Sequence, residues 1–302
     1  LSQIFFRPKE EISPSDWIEK HIRLNHRQSV HAGMYSFSRT PYLKQIADDC
    51  ANPNIRQISI MKSAQCGVSQ LISNIIFYYV CNRTLPIAII LPSQALAQQF
   101  SERNIHNCLD TCEPLQDFIT DRLDDIKRTD LSFRSCNLKI IGGGSATKLS
   151  SNPIALVCID ECDKLESFLR EATPIELAID RTLSFKETKQ DKVILSSTPT
   201  LHKSSEIEKH FLEGSQSKYH VPCPHCKFHQ ELVMENIKWS ENCKEDGEWN
   251  LKKVEDTAYY QCANCGKSIE EKYKAKMNSL GKWVATNPSA PKDLPSYHIS
   301  GL

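Results

Sequence analysis

Ile58-Ser59-Ile60-Met61-Lys62-Ser63-Ala64-Gln65-Cys66-Gly67-Val68-Ser69-Gln70-Leu71-Ile72 reads as a buried strand, a short polar loop and the first turn of a helix. Ile55, Ile58, Ile60 and Met61 have strand character, and Leu71 to Val80 is apolar enough for a buried helix. A helix entered through such a loop offers unpaired backbone N–H groups and the positive end of its dipole, which together suit a phosphate. The usual spacing Gly-x4-Gly-Lys-Ser/Thr is met only in part. Gly67 and Ser69 fit, but Lys62 stands where the first glycine belongs and Val68 where the lysine belongs. Lys62 could fold back to supply the missing cation. Ser69 would offer Mg2+ a hydroxyl, and Gly67 a backbone conformation closed to residues with a Cβ. A strand-loop-helix with a solvated lysine explains the stretch equally well, so later residues must decide.

The second signal is Ile154-Ala155-Leu156-Val157-Cys158-Ile159-Asp160-Glu161, an apolar strand that delivers two adjacent carboxylates at its C-terminal end. Mg2+-dependent hydrolysis of a nucleoside triphosphate needs such a pair: Asp160 to hold the metal through its water shell and Glu161 to polarise the attacking water. Ligands of open α/β sheets bind at that edge. An acidic turn after a strand is the plain alternative, which the upstream cradle makes less economical. Leu85 to Leu91, Leu138 to Ile141 and Val193 to Leu195 read as further buried strands, and Ala95 to Leu109 as helical, which is the rhythm of a parallel sheet. Ser196-Ser197-Thr198-Pro199 puts hydroxyls at a strand tip, where they could sense a γ-phosphate or cap a turn.

Cys223-Pro-His-Cys226 and Cys262-Ala-Asn-Cys265, separated by thirty-five residues, are two Cys-x2-Cys knuckles. Four thiolates so spaced suit one Zn2+, with no open position and hence a structural role. Such a site would tie Phe228 to Met234, the Trp239 and Trp249 segments and Ala258 to Gln261 into a ribbon too poor in core to fold unaided. Thirteen cysteines without a secretory pattern argue for reduced thiols rather than a disulfide framework.

The totals exclude other classes. At 302 residues and 40% apolar content the chain suits one large α/β domain with a small appendage. The longest apolar runs, Leu71 to Val80 and Leu85 to Pro92, are too short or interrupted to span a bilayer, so no membrane role is expected. A formal net charge of zero leaves nucleic-acid contact to a local patch. Near the N-terminus, Ser13 or Ser15 can cap a short helix, and Thr40 a second one with Pro41 in its first position. Tyr42 and Gln45, just upstream of the cradle, could hold an adenine, although position alone favours plain helix residues. Gly142-Gly143-Gly144-Ser145 marks a sharp bend, a loop or a close approach. Arg181 reads as a surface or ion-pair residue before a phosphate or DNA contact. Ile269 to Leu280 reads as a Lys-rich helix, and Tyr297 to Leu302 as the start of another apolar element.

Ser15-Asp16-Trp17, Arg39-Thr40-Pro41-Tyr42-Leu43-Lys44, Met61 to Gly67, Leu91-Pro92-Ser93, Asp160-Glu161, Arg181-Thr182, Ser197-Thr198-Pro199-Thr200 and Val221 to Cys226, in this order, resemble the large terminase subunit of tailed phages, of the lambda GpA type. The resemblance covers nearly the whole chain. It implies an ASCE-type P-loop NTPase with a mainly parallel central sheet flanked by helices, plus a small zinc ribbon. The expected division is an N-terminal helical segment over 1–54, the ATPase core over 55–215, and the ribbon with the start of a linker over 216–302. It also implies an ATP-driven motor that packages double-stranded DNA into a procapsid in the host cytoplasm, as a homo-oligomeric ring at the portal with a small terminase subunit. Tyr42 would lie near the adenine, Lys62 to Ser69 would form a variant P-loop, and Ser197 to Pro199 would couple hydrolysis to movement. Val68 removes the standard lysine, so activity would rest on Lys62. The family's nuclease would begin about where these residues end, so no DNA cleavage is expected from them. A DExD-type helicase, suggested by Asp160-Glu161-Cys162-Asp163, and a decayed zinc-ribbon scaffold, suggested by Val68, are the alternatives.

Overall fold

The computed structural model describes residues 12–26, 29–143, 153–165, 173–201, 204–245 and 248–302. Its strands are β1 (Gln57–Lys62), β2 (Ile87–Leu91), β3 (Asp130–Ser132), β4 (Asn137–Gly142), β5 (Leu156–Asp160), β6 (Lys192–Ser197), β7 (Ser217–Pro222), β8 (His229–Glu231), β9 (Ile237–Lys238), β10 (Tyr259–Gln261), β11 (Ser268–Ile269), β12 (Lys282–Val284) and β13 (Ser296–Ile299), besides four two-residue strands in two small ladders. The central sheet runs β8-β7-β13-β1-β6-β5-β2-β4-β3, with β12 also on β7. From β7 to β4 all neighbours are parallel, while β3, β8 and β12 pair antiparallel.

Alternation along the strands explains why both faces are covered. Ile87, Ile89, Leu156, Cys158 and Ile194 point into one core, and Ala88, Ile90, Val157, Ile159, Val193 and Leu195 into the other. Strands apolar on both sides can be satisfied only between two helical layers. One layer holds α1 (Pro14–His21), α2 (Tyr42–Asp49), α3 (Val68–Asn82) and α4 (Gln94–Phe100), the last continued by a π-helical turn at Ser101–His106. The other holds α5 (Pro174–Asp180) and α6 (Glu206–Glu213). α3 is apolar almost all round, and Ile72, Ile75, Ile76 and Phe77 are at most 1% exposed. Burying each of them contributes about 1.5–3 kcal/mol.

The strand order decides where chemistry can occur. β6 lies between β1 and β5, with Ile60 and Met61 opposite Ser196 and Ser197, and Ser196 opposite Asp160. Lys62, the Ser196-Ser197 tip and the Asp160-Glu161 pair therefore emerge together at the C-terminal edge of the sheet.

Several expectations need correction. Residues 216–302 are not a unit apart, because β7, β12 and β13 belong to the central sheet. β13 runs beside β1, and the Ser63 N–H donates to the Ile299 carbonyl at 3.0 Å. The run from Tyr297 is thus a core strand, since Tyr297 and Ile299 can be buried only against its neighbours. Among the described residues, β9, β10 and β11 form a separate three-stranded sheet, and Lys244–Glu245 with Glu248–Trp249 a small ladder of their own. The helix expected over 269–280 shrinks to α7 (Lys274–Ser279), because Ile269 is drawn into β11 and a small core with Val221, Cys223, Cys262 and Met277. Ser13 caps α1 as expected, accepting from Asp16 N, whereas α2 begins at Tyr42 without a side-chain cap from Thr40. At Gly142 an added Cβ would lie 2.4 Å from Gln94 N, and at Gly143 2.8 Å from Pro92 O. Those two glycines admit the chain's own backbone; Gly144 and Ser145 lie outside the described residues. Among the described residues no helix is long and apolar enough to cross a membrane.

Candidate nucleotide site and cysteine cluster

β1 ends at Lys62 and the chain enters α3 through Gly67, whose φ of +84° lies in the left-handed region. A Cβ there would also meet Leu43 Cδ1 at 3.3 Å. Gly67→Ala is therefore expected to cost roughly 1–2 kcal/mol, read as a lower Tm; an unchanged Tm would contradict the strained turn. Ala64 and Gln65 are exposed on the loop, while Ser63, Cys66 and Ser69 face inward to varying degrees. Val68 is 1% exposed and belongs to the core, so this position serves packing and brings no cation to the loop.

Lys62, 5% exposed, reaches across the tip of β6 to Glu161, with Nζ 2.5 Å from Oε1. Burial works against its charge, but Asp160 and Glu161 outweigh burial and hold the ammonium above the ordinary lysine pKa. Glu161 adopts φ +58°, a conformation costly for a residue with a Cβ, and this turns its side chain back toward β1. Burial disfavours its charge too. Lys62 and Lys164, the latter 2.9 Å from Oε2, prevail and hold the carboxyl below the ordinary glutamate value. Asp160 accepts from Ser69 Oγ at 2.5 Å, from Ser196 Oγ at 2.6 Å and from the Glu161 N–H at 3.1 Å. Ser69, Ser196 and Asp160 form an all-oxygen donor set of the kind that suits Mg2+.

Tyr42, the first residue of α2, donates its hydroxyl to the Cys66 carbonyl at 3.2 Å, which sets it beside the loop. Its carbonyl accepts from Trp283 Nε1 at 2.9 Å, and its ring meets Tyr219 edge-on at 5.9 Å. Burial pushes the Tyr42 hydroxyl up to about 12. Ser197 faces a different way from Ser196. It donates to the Thr198 carbonyl at 3.1 Å and accepts from the Asp163 N–H at 3.3 Å. Arg181 lies at the far end of the sheet: its carbonyl accepts from Ile154 N, six residues or about 20 Å along the strand from Asp160.

The sequence offers Ser196 among the strand-tip hydroxyls and Asp163 within the acidic turn without fixing a partner for either, and it gives no site role to Lys164, Tyr219 or Trp283. Lys164 follows the acidic pair within the same turn, and Ser196 opens the named hydroxyl run, but which of Ser196 and Ser197 meets Asp160 is set by the register of β6 beside β5. Tyr219 and Trp283 carry no local signal, because tertiary folding alone brings them to Tyr42.

Cys223, Cys226, Cys262 and Cys265 bring their Sγ atoms within 4.8 Å of one another. The two knuckles are built alike. Lys227 N donates to Cys223 O and Gly266 N to Cys262 O, both at 3.0 Å, and Lys227 and Gly266 both have positive φ. Cys223 N then donates to Phe228 O at 2.9 Å and Cys262 N to Lys267 O at 3.0 Å. Two matched turns aiming four sulfurs at one point are compatible with zinc.

A strand inserted between the phosphate-loop strand and the acidic strand, with their side chains converging at one sheet edge, defines an ASCE-type P-loop NTPase fold. Residues 29–283 match the family model of the phage terminase large subunit gpA, ATPase domain, and the chain belongs to that family. It is 23% identical over 283 residues to the terminase large subunit of Enterobacteria phage P21, covering 90% of this chain and 41% of that protein. To the large subunit of Escherichia phage lambda it is 21% identical over 247 residues, covering 78% of this chain and 38% of that protein. The chain thus spans about two fifths of the length of these relatives. Among solved structures it aligns with the HK97 bacteriophage large terminase at TM-score 0.48 and 11% identity, covering 68% of this chain and 41% of that one. With the Thermus phage P74-26 large terminase ATPase domain the TM-score is 0.44 at 12% identity, covering 82% and 76%.

Proposed function

We propose that this chain is the ATP-hydrolysing motor portion of a phage terminase large subunit, which drives double-stranded DNA into a procapsid. The observation that supports this most directly is the convergence of Lys62 with Glu161, and of Ser69 with Asp160, at the entry to α3. In this reading the phosphates rest on the backbone N–H groups around Gly67 to Ser69 and on Lys62. Ser69 and Asp160 would hold Mg2+, and Tyr42 would lie on the adenine side. Bound Mg2+ would neutralise charge that develops on the transferred phosphoryl group. Glu161, kept ionised by its two lysines, is the acceptor that orients a water. Ser63 to Cys66 shape the loop, and Ser197 and Thr198 carry the signal of hydrolysis to the rest of the molecule.

The four cysteines would hold one structural Zn2+, since four thiolates leave no open coordination position. A small terminase subunit, the portal of the procapsid and further copies of this chain in a ring are the proposed partners, and the host cytoplasm the site of action. The test is steady-state ATP hydrolysis with and without linear duplex DNA. The reading expects Mg2+-dependent turnover stimulated by DNA; no turnover in either condition overturns it.

A further inference from the structure

From the hydrogen bonds that leave the acidic turn, we infer that Asp163 is the positioning residue that links the water-orienting Glu161 to the Ser197–Thr200 loop and to the element leading into the cysteine ribbon. The inference rests on the ATPase reading above and names the part that transmits its effect. Asp163 lies two residues beyond Glu161 in one tight 3-10 turn, closed by the Lys164 N–H on the Glu161 carbonyl at 2.9 Å. The left-handed backbone of Glu161 sends the two carboxylates in different directions. Glu161 turns to Lys62, whereas Asp163 turns to the chain beyond β6.

There its carboxylate accepts from two separate segments. Oδ2 takes the Thr200 N–H at 2.9 Å and the Thr200 hydroxyl at 3.1 Å, and Oδ1 takes the Ile207 N–H at 2.8 Å in the first turn of α6. Its own N–H donates to Ser197 Oγ at 3.3 Å. Charge-assisted bonds of this kind are stronger and more directional than neutral ones. α6 is in turn fixed to the sheet, since Ile207 is fully buried and the Phe211 carbonyl accepts from Ser296 Oγ of β13 at 2.8 Å. The chain then passes from α6 into β7, which ends one residue before Cys223. Any shift of Glu161 on release of its phosphate-side partners tilts a turn of three residues, and Asp163 passes that tilt to the loop and to α6.

Asp163→Asn tests this without changing size. An asparagine side chain accepts through one oxygen only, so its amide group must face either Thr200 or Ile207, both of which donate. Thr200→Val is a milder companion that removes a single bond. The readouts are the affinity for a fluorescent ATP analogue with Mg2+, kcat and KM with and without linear duplex DNA, and Tm. For Asp163→Asn the expected result is analogue affinity within about twofold of wild type and kcat lowered about tenfold or more, the size expected when a charge-assisted bond is lost. DNA stimulation should fall with it. The double variant should be no slower than Asp163→Asn alone, and Asp163→Glu, which restores the charge, should recover part of the rate. Wild-type kcat and DNA stimulation in Asp163→Asn overturn the inference, as does a parallel loss of affinity, rate and Tm. If Asp163→Asn does not fold, wild-type kcat and DNA stimulation in Thr200→Val overturn it. A wild-type protein that binds no analogue overturns the ATPase reading itself, which the binding arm distinguishes from a failure of Asp163.

Discussion

Glu161→Gln is expected to lower ATP turnover by about 10³-fold while analogue binding stays within a few-fold of wild type. The substitution keeps shape and a hydrogen bond to Lys62 but removes the negative charge that, in the proposed mechanism, orients and polarises water. Lys62→Ala should lose turnover to a similar extent and weaken binding as well, because Val68 is buried and in the proposed site Lys62 is the cation that this loop would offer the phosphates. Neither change should unfold the chain. In Lys62→Ala the Glu161 carboxylate keeps Lys164 as a partner, and in Glu161→Gln the lysine keeps Asp160 nearby. Steady-state rates, equilibrium binding and Tm measured on the same preparations separate these effects. Turnover within twofold of wild type in either variant would remove the assignment.

The second large effect concerns the cysteines. One zinc ion per chain is expected, and its removal by a chelator, or Cys262→Ser, should unfold the ribbon cooperatively. The ribbon core is small: Val221, Ile269 and Met277 are its buried non-cysteine residues. A bound metal would supply most of the missing stability, on the order of 10 kcal/mol for structural zinc sites. Because β7 and β12 also belong to the central sheet, damage should spread to Tyr219 and Trp283, and from them to Tyr42 beside the loop. Zinc content by elemental analysis and amide exchange over 217–284 check this directly. A metal-free chain with full protection there would contradict it.

The parts of the fold that could be read from the chain were those written in local pattern. The cradle strand, the acidic strand and the knuckles each show their chemistry within a dozen residues, and their elements appear close to where the periodicity puts them. The outer boundary of the second unit was misread, because a strand such as β13 looks the same whether it opens a new element or returns to an old sheet. Only the register beside β1 distinguishes the two. The phase at the tip of β6 was also out of reach. Ser196 and Ser197 look alike in sequence, yet alternate residues face opposite sides, so Ser196 meets Asp160 and Ser197 meets Asp163. Asp163 stood in plain view within the acidic turn, but its partners lie 37 and 44 residues away and only the folded chain brings them near.

The most direct test of the central claim, that Lys62, Ser69, Asp160 and Glu161 form one Mg2+-triphosphate site, is equilibrium binding of a labelled ATP analogue to wild type and to Lys62→Ala, each with and without Mg2+. The account predicts saturable, Mg2+-dependent binding by wild type that is lost or greatly weakened in Lys62→Ala. Absence of binding by wild type, or equal affinity in the two proteins, would contradict it.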